Sequence, residues 1–323
     1  MSGYISPIAP WLEEFARYRT ASGKFGESSH IRLKRFDRHC ASFPGAETLT
    51  QEMVDTWMAV RPTEKGSSCR NRASTARVFI EWAVARKLVD VVLPERPQAE
   101  KSTFVPHSFS SSELRDFFHA CDSISTRYNG IKEKLFKMTV PVFFRLLHSS
   151  GLRTCEGRLL KRSDVDLSTG VVDVDKSKGP DGHRIVLTES MLDLMRRYDA
   201  AVESLVPGRE YMFTNPDGSV RSREWVCKTF RKMWKYASED KARAYDFRAH
   251  YAATNIDSWE YEGGGWHWKL AILAKSMGHR QMQSTCHYYN ITPYLYDRVT
   301  RASSEGINDL MPDLPESYGR ANP

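Results

Sequence analysis

The sequence contains no long apolar run, no closely paired cysteines, no internal repeat and no low-complexity tract. No stretch approaches the roughly 20 apolar residues that a membrane-spanning helix needs, so we expect no membrane partner. The first ten residues lack a basic region followed by an apolar core, so we expect no secretory signal. The six cysteines are scattered without CxxC spacing. This spacing predicts reduced thiols in a cytoplasmic protein rather than disulfides or a zinc site.

Positive charge is in modest excess along the chain. The formal net charge is +7 at pH 7, which favours a polyanionic partner. The hydrophobic fraction of 41% and the charged fraction of 27% are ordinary for a globular protein. The length of 323 residues is enough for two domains. We expect no metal or other cofactor, because the Cys286-His287 pair has no second pair at ligand spacing.

The first part of the chain is predicted to be helical. Apolar residues recur at helical spacing from about residue 9 to residue 91, with no convincing strand. The following stretch, residues 92–107, contains three prolines and several polar residues, which predicts an extended linker. We therefore predict a helical domain over residues 1–91, a linker over 92–107 and a second domain over 108–323.

The second domain is predicted to combine many helices with one small β-hairpin. Residues 171–174 and 184–187 are typical of two short strands, and the Gly-Pro-Asp-Gly sequence between them predicts a turn. Lys178 lies at the predicted tip of this hairpin, with Lys176 as an alternative candidate for the same role. The expected fold is therefore mainly α, with a helical N-terminal domain and a mostly helical α/β domain that contains a small hairpin sheet.

Tyr288 lies in a sequence setting that suits a nucleophile. It follows His279 by nine residues, and Thr285 stands between them. A tyrosine hydroxyl has a pKa of roughly 10 and is a poor nucleophile at neutral pH. It becomes reactive when cations neutralise an anionic electrophile and a nearby group takes its proton. Two upstream arginines, Arg153 and Arg248, would provide those cations if they converge on a phosphate.

Each of these residues also has an ordinary structural interpretation. Arg153 is predicted to begin a helix, where free amides favour anions, but it could instead pair with Glu156 on the same turn. Arg248 taken alone could be a cation on a helix surface, and Lys178 could be a solvated turn residue. His279 follows a glycine and could simply open a helix. Each residue alone is weak evidence for a functional role, and only their order along the chain makes the evidence strong.

The order of these residues resembles that of the tyrosine recombinase (phage integrase) family. An arginine after Ser-Gly-Leu, a hairpin lysine, an arginine in Asp-Phe-Arg, a Gly-His pair and a tyrosine nine residues later follow the family's pattern. Residues 150–156 and 273–279 resemble the family's two catalytic motifs, and residues 67–83 resemble the last long helix of its core-binding domain. The resemblance covers nearly the whole chain, and it implies a core-binding domain over 1–91 and a catalytic domain over 108–323.

The resemblance also implies a role for each candidate residue. Arg153 and Arg248 would bind the non-bridging oxygens of a scissile DNA phosphate, and His279 would donate a further hydrogen bond to it. Lys178 would protonate the departing 5′ oxygen, and Tyr288 would become joined to the 3′ phosphate. One diester is exchanged for another, so neither ATP nor a metal is implied.

The sequence departs from the family's pattern at three places. Tyr245 stands where the family usually has a histidine, three residues before the second arginine. The group that takes the proton of Tyr288 is therefore unassigned. His250 is one candidate substitute, although helical spacing should point it elsewhere. Tyr289 adjoins Tyr288 and is a rival nucleophile. The glycine-rich stretch 260–268 lengthens the gap before the Gly-His pair, either as a neutral insertion or as a loop that contacts DNA or a partner.

The expected function is site-specific recombination of a mobile element, by integration, excision or transposition, on specific double-stranded DNA. Arginines predicted to contact DNA are Arg70, Arg72, Arg77 and Arg184, and the alternative for the first three is a solvated helix face. An apolar stripe over residues 294–311 predicts a C-terminal helix that docks on a neighbouring protomer of a tetramer or packs on its own domain. The other functions considered are a catalytically impaired architectural DNA-binding protein and a type IB topoisomerase.

Overall fold

The chain divides into two compact units, residues 1–104 and 105–323. The computed structural model describes residues 3–96, 104–174, 182–259, 265–279 and 281–289; for Trp266, His287, Tyr288 and Tyr289 it describes the backbone alone. The boundary between the units falls within the predicted linker. The functional assignment of each unit stays a prediction.

The first unit consists of helices over its described residues 3–96. Their bounds are α1 Ala9–Ala21, α2 Glu27–Ala41, α3 Gln51–Met58 and α4 Gly66–Ala85. Aromatic side chains form the centre of the core, with Phe15 and Phe36 each in edge or tilted contact with Phe79. Burying such large rings supplies much of the apolar area that stabilises a small helical unit. The absence of strands over these residues agrees with the helical periodicity of the sequence.

The second unit is also mostly helical. Its helices are α5 Ser111–Asp122, α6 Ile131–Ser150, α7 Thr154–Leu159, α8 Glu189–Glu203, α9 Arg223–Trp234, α10 Asp246–Asp257, α11 Trp266–Ser276 and α12 Gln283–Tyr289. Two antiparallel strands, β1 Val171–Val174 and β2 His183–Val186, form the one sheet found in the described residues. The prediction of a mainly α fold with a small hairpin sheet is confirmed.

Helix α6 carries the core of the second unit. Its buried residues include Phe143, Phe144 and Leu147, and it packs against α5, α8 and α10. The helix ends at Gly151, whose φ of +64° is a left-handed conformation that glycine adopts readily. A Cβ at this position would also lie 2.3 Å from the ring of Tyr251 on α10. This tight turn brings the chain directly to Arg153 at the start of α7.

The hairpin pairs Val171 with Val186 and Val174 with His183. The structure begins β2 one residue before the predicted strand, at His183, because that residue pairs in register with the end of β1. The predicted hairpin tip with Lys176 and Lys178 lies outside the described residues, as do residues 260–264 and the predicted C-terminal stripe over 294–311. No helix in the described part of the chain has the length and apolar character required to cross a bilayer.

Candidate active site

Arg153 occupies the N-cap position of α7 and binds two groups that are distant in sequence from each other. Its Nη1 donates to Glu156 Oε1 at 2.5 Å, and its backbone N–H donates to Glu156 Oε2 at 2.7 Å. Its Nη2 donates to the carbonyl oxygen of Gly278 at 3.1 Å. The pairing with Glu156 that the sequence left open is therefore present. It coexists with a contact to the Gly-His turn 125 residues away.

Arg248 lies on α10 and is only 1% exposed. The structure therefore excludes the alternative that it is a cation on a helix surface. Its Nη1 donates to Gly151 O at 2.7 Å, and its Nη2 donates to Met277 O at 2.5 Å. Carbonyl oxygens partly offset the cost of burying a guanidinium, and the carboxylate of Glu156 lies 4.0 Å from Nη1. Such a buried cation is a candidate functional group.

His279 joins the two arginines to α12. Its Nε2 lies 2.8 Å from Arg248 Nη2, and its Nδ1 lies 2.6 Å from the hydroxyl oxygen of Thr285, which is fully buried. A guanidinium only donates, so Nε2 is the acceptor and Nδ1–H donates to Thr285. Burial, followed by the charges of Arg248 and Arg153, lowers the pKa of His279 to about 4. The imidazole is therefore neutral at physiological pH.

Glu156 is the carboxylate of this cluster and is 3% exposed. One of its oxygens accepts from Arg153 Nη1, and the other lies 4.0 Å from Arg248 Nη1. A carboxylate between two guanidinium groups lowers the repulsion between them and fixes the orientation of Arg153. This geometry suits an orienting group rather than a reacting one.

His183 is a member of the cluster that the sequence interpretation missed. Its side chain is 6% exposed, and its Nε2 lies 3.9 Å from Glu156 Oε2. Burial lowers its pKa, and the charges of Arg153 and Arg248 act in the same direction, while Glu156 partly opposes them. A signal was present in the sequence, because Gly182-His183 repeats the Gly-His pair at Gly278. The sequence pattern placed the start of the strand at residue 184, so it did not indicate that His183 lies in the strand and reaches the site.

Two cavities adjoin the cluster. One, of about 1110 Å³, is lined by His183 and His279 together with the cationic residues Lys161, Arg184 and Lys275 and the acidic residues Asp164 and Asp173. The other, of about 450 Å³, is lined by Arg153 and Tyr245 together with four further arginines, Arg158, Arg223, Arg231 and Arg243. Cationic side chains outnumber acidic ones in the lining of both cavities, which suits an anionic ligand.

Tyr245 and His250, which flank Arg248 in the sequence, occupy different environments in the structure. Tyr245 precedes α10 and is 44% exposed in the cavity that Arg153 also lines. His250 stacks on His148 at 5.4 Å and meets Phe109 edge-on. The contacts of His250 therefore lie in the packing around α6 and α10. The expectation that helical spacing points it away from Arg248 agrees with these contacts.

The candidate nucleophiles are described at the level of the backbone. Helix α12 contains Thr285, Tyr288 and Tyr289, and the last two follow Thr285 by three and four residues. Residues at both spacings are neighbours on a helix surface, so helical position alone does not separate Tyr288 from Tyr289. The hydrogen bond of Thr285 to His279 nevertheless ties this helix to the arginine cluster.

The four arginines predicted to contact DNA differ in their surroundings. Arg70 is exposed on α4. Arg72 donates to the carbonyl oxygen of Trp57 and to Glu64, and Arg77 donates to the carbonyl oxygen of Pro94. Arg184 pairs with Asp173 across the hairpin at 2.6 Å, and both side chains are exposed. Internal contacts therefore occupy Arg72 and Arg77, and their contact with DNA stays a prediction.

The chain matches a known protein family and known structures. Residues 108–293, more than half of the chain, match the phage integrase family. The integrase/recombinase-type protein y4rE of Sinorhizobium fredii is 31% identical over 190 residues, which cover 57% of this chain and 59% of y4rE. The match therefore spans less than two thirds of that relative's length.

Solved structures share the fold at low sequence identity. The XerH site-specific recombinase in a post-cleavage complex with its difH substrate is 16% identical, with a TM-score of 0.58 over 91% of this chain and 83% of XerH. The lambda integrase tetramer bound to a Holliday junction is 16% identical, with a TM-score of 0.55 over 86% of this chain and 76% of the integrase chain. These similarities show that the fold is that of tyrosine recombinases.

Proposed function

The chain belongs to the phage integrase family, and we propose that it is a tyrosine recombinase that cuts and rejoins DNA strands at specific sites. One observation carries the proposal: two arginines that are widely separated in sequence meet at the turn Met277–His279. Arg153 donates to Gly278 O, and Arg248 donates to Met277 O and to the Nε2 of His279. Two guanidinium groups and a neutral imidazole form a site for a phosphate, and the positively charged cavities beside it suit the flanking DNA.

In this proposal the two arginines stabilise the scissile phosphate. Arg153 and Arg248 donate to the non-bridging oxygens, and their charge offsets the negative charge that grows as the attacking oxygen approaches phosphorus. Preorganised donors of this kind are each worth about 10²–10³ in rate. Glu156 keeps Arg153 oriented before DNA arrives, since its carboxylate already holds Nη1.

The bonds that form and break follow the chemistry of a phosphodiester exchange. The oxygen of Tyr288 bonds to phosphorus as the bond from phosphorus to the 5′ oxygen breaks, which leaves a 3′-phosphotyrosine and a 5′ hydroxyl. The hydroxyl group of Tyr288 loses its proton to solvent as it attacks, Lys178 supplies the proton of the 5′ hydroxyl, and His279 donates a hydrogen bond to the phosphate. Religation reverses the step with another strand's 5′ hydroxyl. Bond energy is kept throughout, so no nucleotide cofactor is needed.

Tyr245 makes the architectural function the second candidate. It stands where the resemblance places a histidine, and a neutral phenol donates a hydrogen bond but does not take up a proton at neutral pH. A chain that kept the phosphate site but lacked a proton acceptor for Tyr288 would bind and bend DNA without cutting it.

The assembly proposed for this chain is a tetramer on paired double-stranded DNA sites of an integrative element. The lambda integrase, which shares the fold, forms a tetramer on a Holliday junction. The modest positive charge of the chain supports binding to DNA.

A nicked duplex tests the enzyme proposal. The duplex carries the end sequence of the element that encodes the protein, and the nick lets the 5′ fragment diffuse away so that a covalent 3′ adduct accumulates. We expect an adduct that Tyr288→Phe abolishes and Tyr289→Phe retains. Loss in Tyr289→Phe alone would move the nucleophile by one residue. DNA binding without any adduct would favour the architectural protein, and relaxation of an arbitrary supercoiled plasmid would favour the topoisomerase.

A further inference from the structure

The imidazole of His183 packs directly on the turn that carries His279. A Cβ at Gly278 would lie 2.6 Å from His183 Nδ1 and 2.9 Å from its Cε1, which no real contact allows. Gly278 also has a φ of +63°, a conformation that favours glycine. The backbone of the turn is therefore held in close contact with the first residue of β2.

That turn sets the position of both arginines. Its two carbonyl oxygens accept from the two guanidinium groups, Met277 O from Arg248 and Gly278 O from Arg153. His279 follows at once in the chain and bonds to Arg248. A shift of the turn would therefore move the acceptors of both cations and the imidazole together.

The other side of the His183 ring faces Glu156. The distance of 3.9 Å between Nε2 and Glu156 Oε2 is too long for a hydrogen bond. Among the described residues no group lies within hydrogen-bonding distance of this buried Nε2. A buried ring nitrogen without a hydrogen bond costs stability, so its presence calls for a functional reason. The carboxylate beside it is the one that holds Arg153.

We propose that His183 is a positioning residue of the phosphate site. It fixes the Gly278 turn. Its Nε2–H donates a hydrogen bond to the Glu156 carboxylate once Arg153 has turned from Glu156 to the phosphate. The inference rests on the proposed function, because it supposes that a phosphate draws Arg153 away. A neutral imidazole suffices, since one ring nitrogen carries the donor. The ring is kept neutral by its burial and by the charges of Arg153 and Arg248, against the opposing charge of Glu156.

The position of His183 gives this role a further consequence. It is the first residue of β2, and it pairs with Val174 at the end of β1. Contact between the hairpin and DNA would therefore be transmitted through the His183 ring to the turn and to Glu156. The same ring would link binding at the hairpin to the orientation of Arg153.

Two substitutions separate this role from simple packing. His183→Phe keeps an aromatic ring but removes both ring nitrogens, whereas His183→Gln keeps an N–H donor. His119→Phe is the matched control, because His119 is an exposed histidine on α5 of the same unit. The melting temperature, the affinity for DNA and the single-turnover rate of adduct formation on the nicked duplex are measured on the full chain.

We expect His183→Phe to bind DNA as the wild type does but to form the adduct about 10- to 100-fold more slowly, the usual effect of a lost hydrogen bond to a charged group. His183→Gln should recover most of the rate. In a Glu156→Gln background the further loss from His183→Phe should be small, because the two residues act through one contact. Equal rates for His183→Phe and wild type, equal losses for Phe and Gln, or additive losses with Glu156→Gln would each overturn the role.

A readout without DNA separates failure of this inference from failure of the proposed function. The NMR ring resonances of His279 in the free protein should shift in His183→Phe and not in His119→Phe, since the Gly278 turn connects the two rings. A wild type that forms no adduct would refute the proposed function, and a His279 shift would still support positioning. Unchanged His279 resonances in His183→Phe would overturn the positioning role itself.

Discussion

Replacing Gly278 with alanine should destabilise the second unit by two separable effects. The first is backbone strain: the φ of +63° at this position is left-handed, and a side chain there costs roughly 1–2 kcal/mol. The second is overlap: the new Cβ would lie 2.6 Å from His183 Nδ1, 2.9 Å from its Cε1 and 3.0 Å from its Cγ. Overpacking of this kind typically costs about 1–3 kcal/mol more.

Gly208→Ala is the matched control for this experiment. Gly208 has a φ of +67°, and a Cβ there would meet nothing within 4 Å. The two substitutions therefore share the strain, and they share the loss of glycine's entropy in the unfolded chain. The difference between them isolates the contact with His183.

Calorimetry of the full chain measures that difference. For a unit of this size, each kcal/mol lowers the melting temperature by about 2–4 °C. Gly278→Ala should therefore melt about 2–12 °C below Gly208→Ala. Adding His183→Ala to Gly278→Ala should recover the excess, because the ring that overlaps the new methyl group is gone. Equal melting temperatures for the two glycine variants would refute the close contact, and so would a failure of the double variant to recover.

Two further predictions concern pH and the first unit. Burial lowers the pKa of both His148 and His279 from 6.5 to about 4. Between these pH values the folded chain binds fewer protons than the unfolded chain, so its free energy of unfolding should fall as the pH drops from 6.5 to 4. In denaturant titrations, His148→Leu should make that fall shallower. Arg72→Ala should lower the melting temperature of the first unit, because Arg72 binds Glu64 and carbonyl oxygens at the end of α3. Arg70 is exposed, so Arg70→Ala should leave the melting temperature unchanged. It should instead reduce the dependence of log DNA affinity on log salt concentration by about 1.

The sequence was informative where a local pattern determines the structure. Ser110 followed three residues later by Glu113 is a sequence pattern typical of a capped helix start, and both halves of that capping box are present at α5. Residues 171–174 predicted a strand, and β1 has those bounds. Both features depend on residues that are close in the chain, so a single sequence carries enough information to predict them.

Long-range packing escaped the same reasoning. The burial of Arg248 depends on carbonyl oxygens of Gly151 and Met277, which lie 97 and 29 residues away. The internal role of Arg72 depends on the end of α3, and the place of His183 depends on a glycine 95 positions later in the chain. A charge pattern along one helix predicts a solvated or DNA-facing surface equally well, and only the tertiary fold decides between them.

Under the proposed function, the hydrogen bonds of the DNA-free site would have to rearrange when a phosphate binds. Arg248 Nη2 has two donors, and Met277 O and the Nε2 of His279 accept from them. For a neutral His279 to donate to a phosphate, its proton must stand on Nε2, so Nδ1 must change from donor to acceptor. The hydroxyl group of Thr285 permits this change, because it can accept from Nδ1–H in one state and donate to Nδ1 in the other. The phosphate would then take the place of His279 at Arg248, and the lowered pKa of His279 keeps the imidazole neutral while its Nε2 accepts from Arg248.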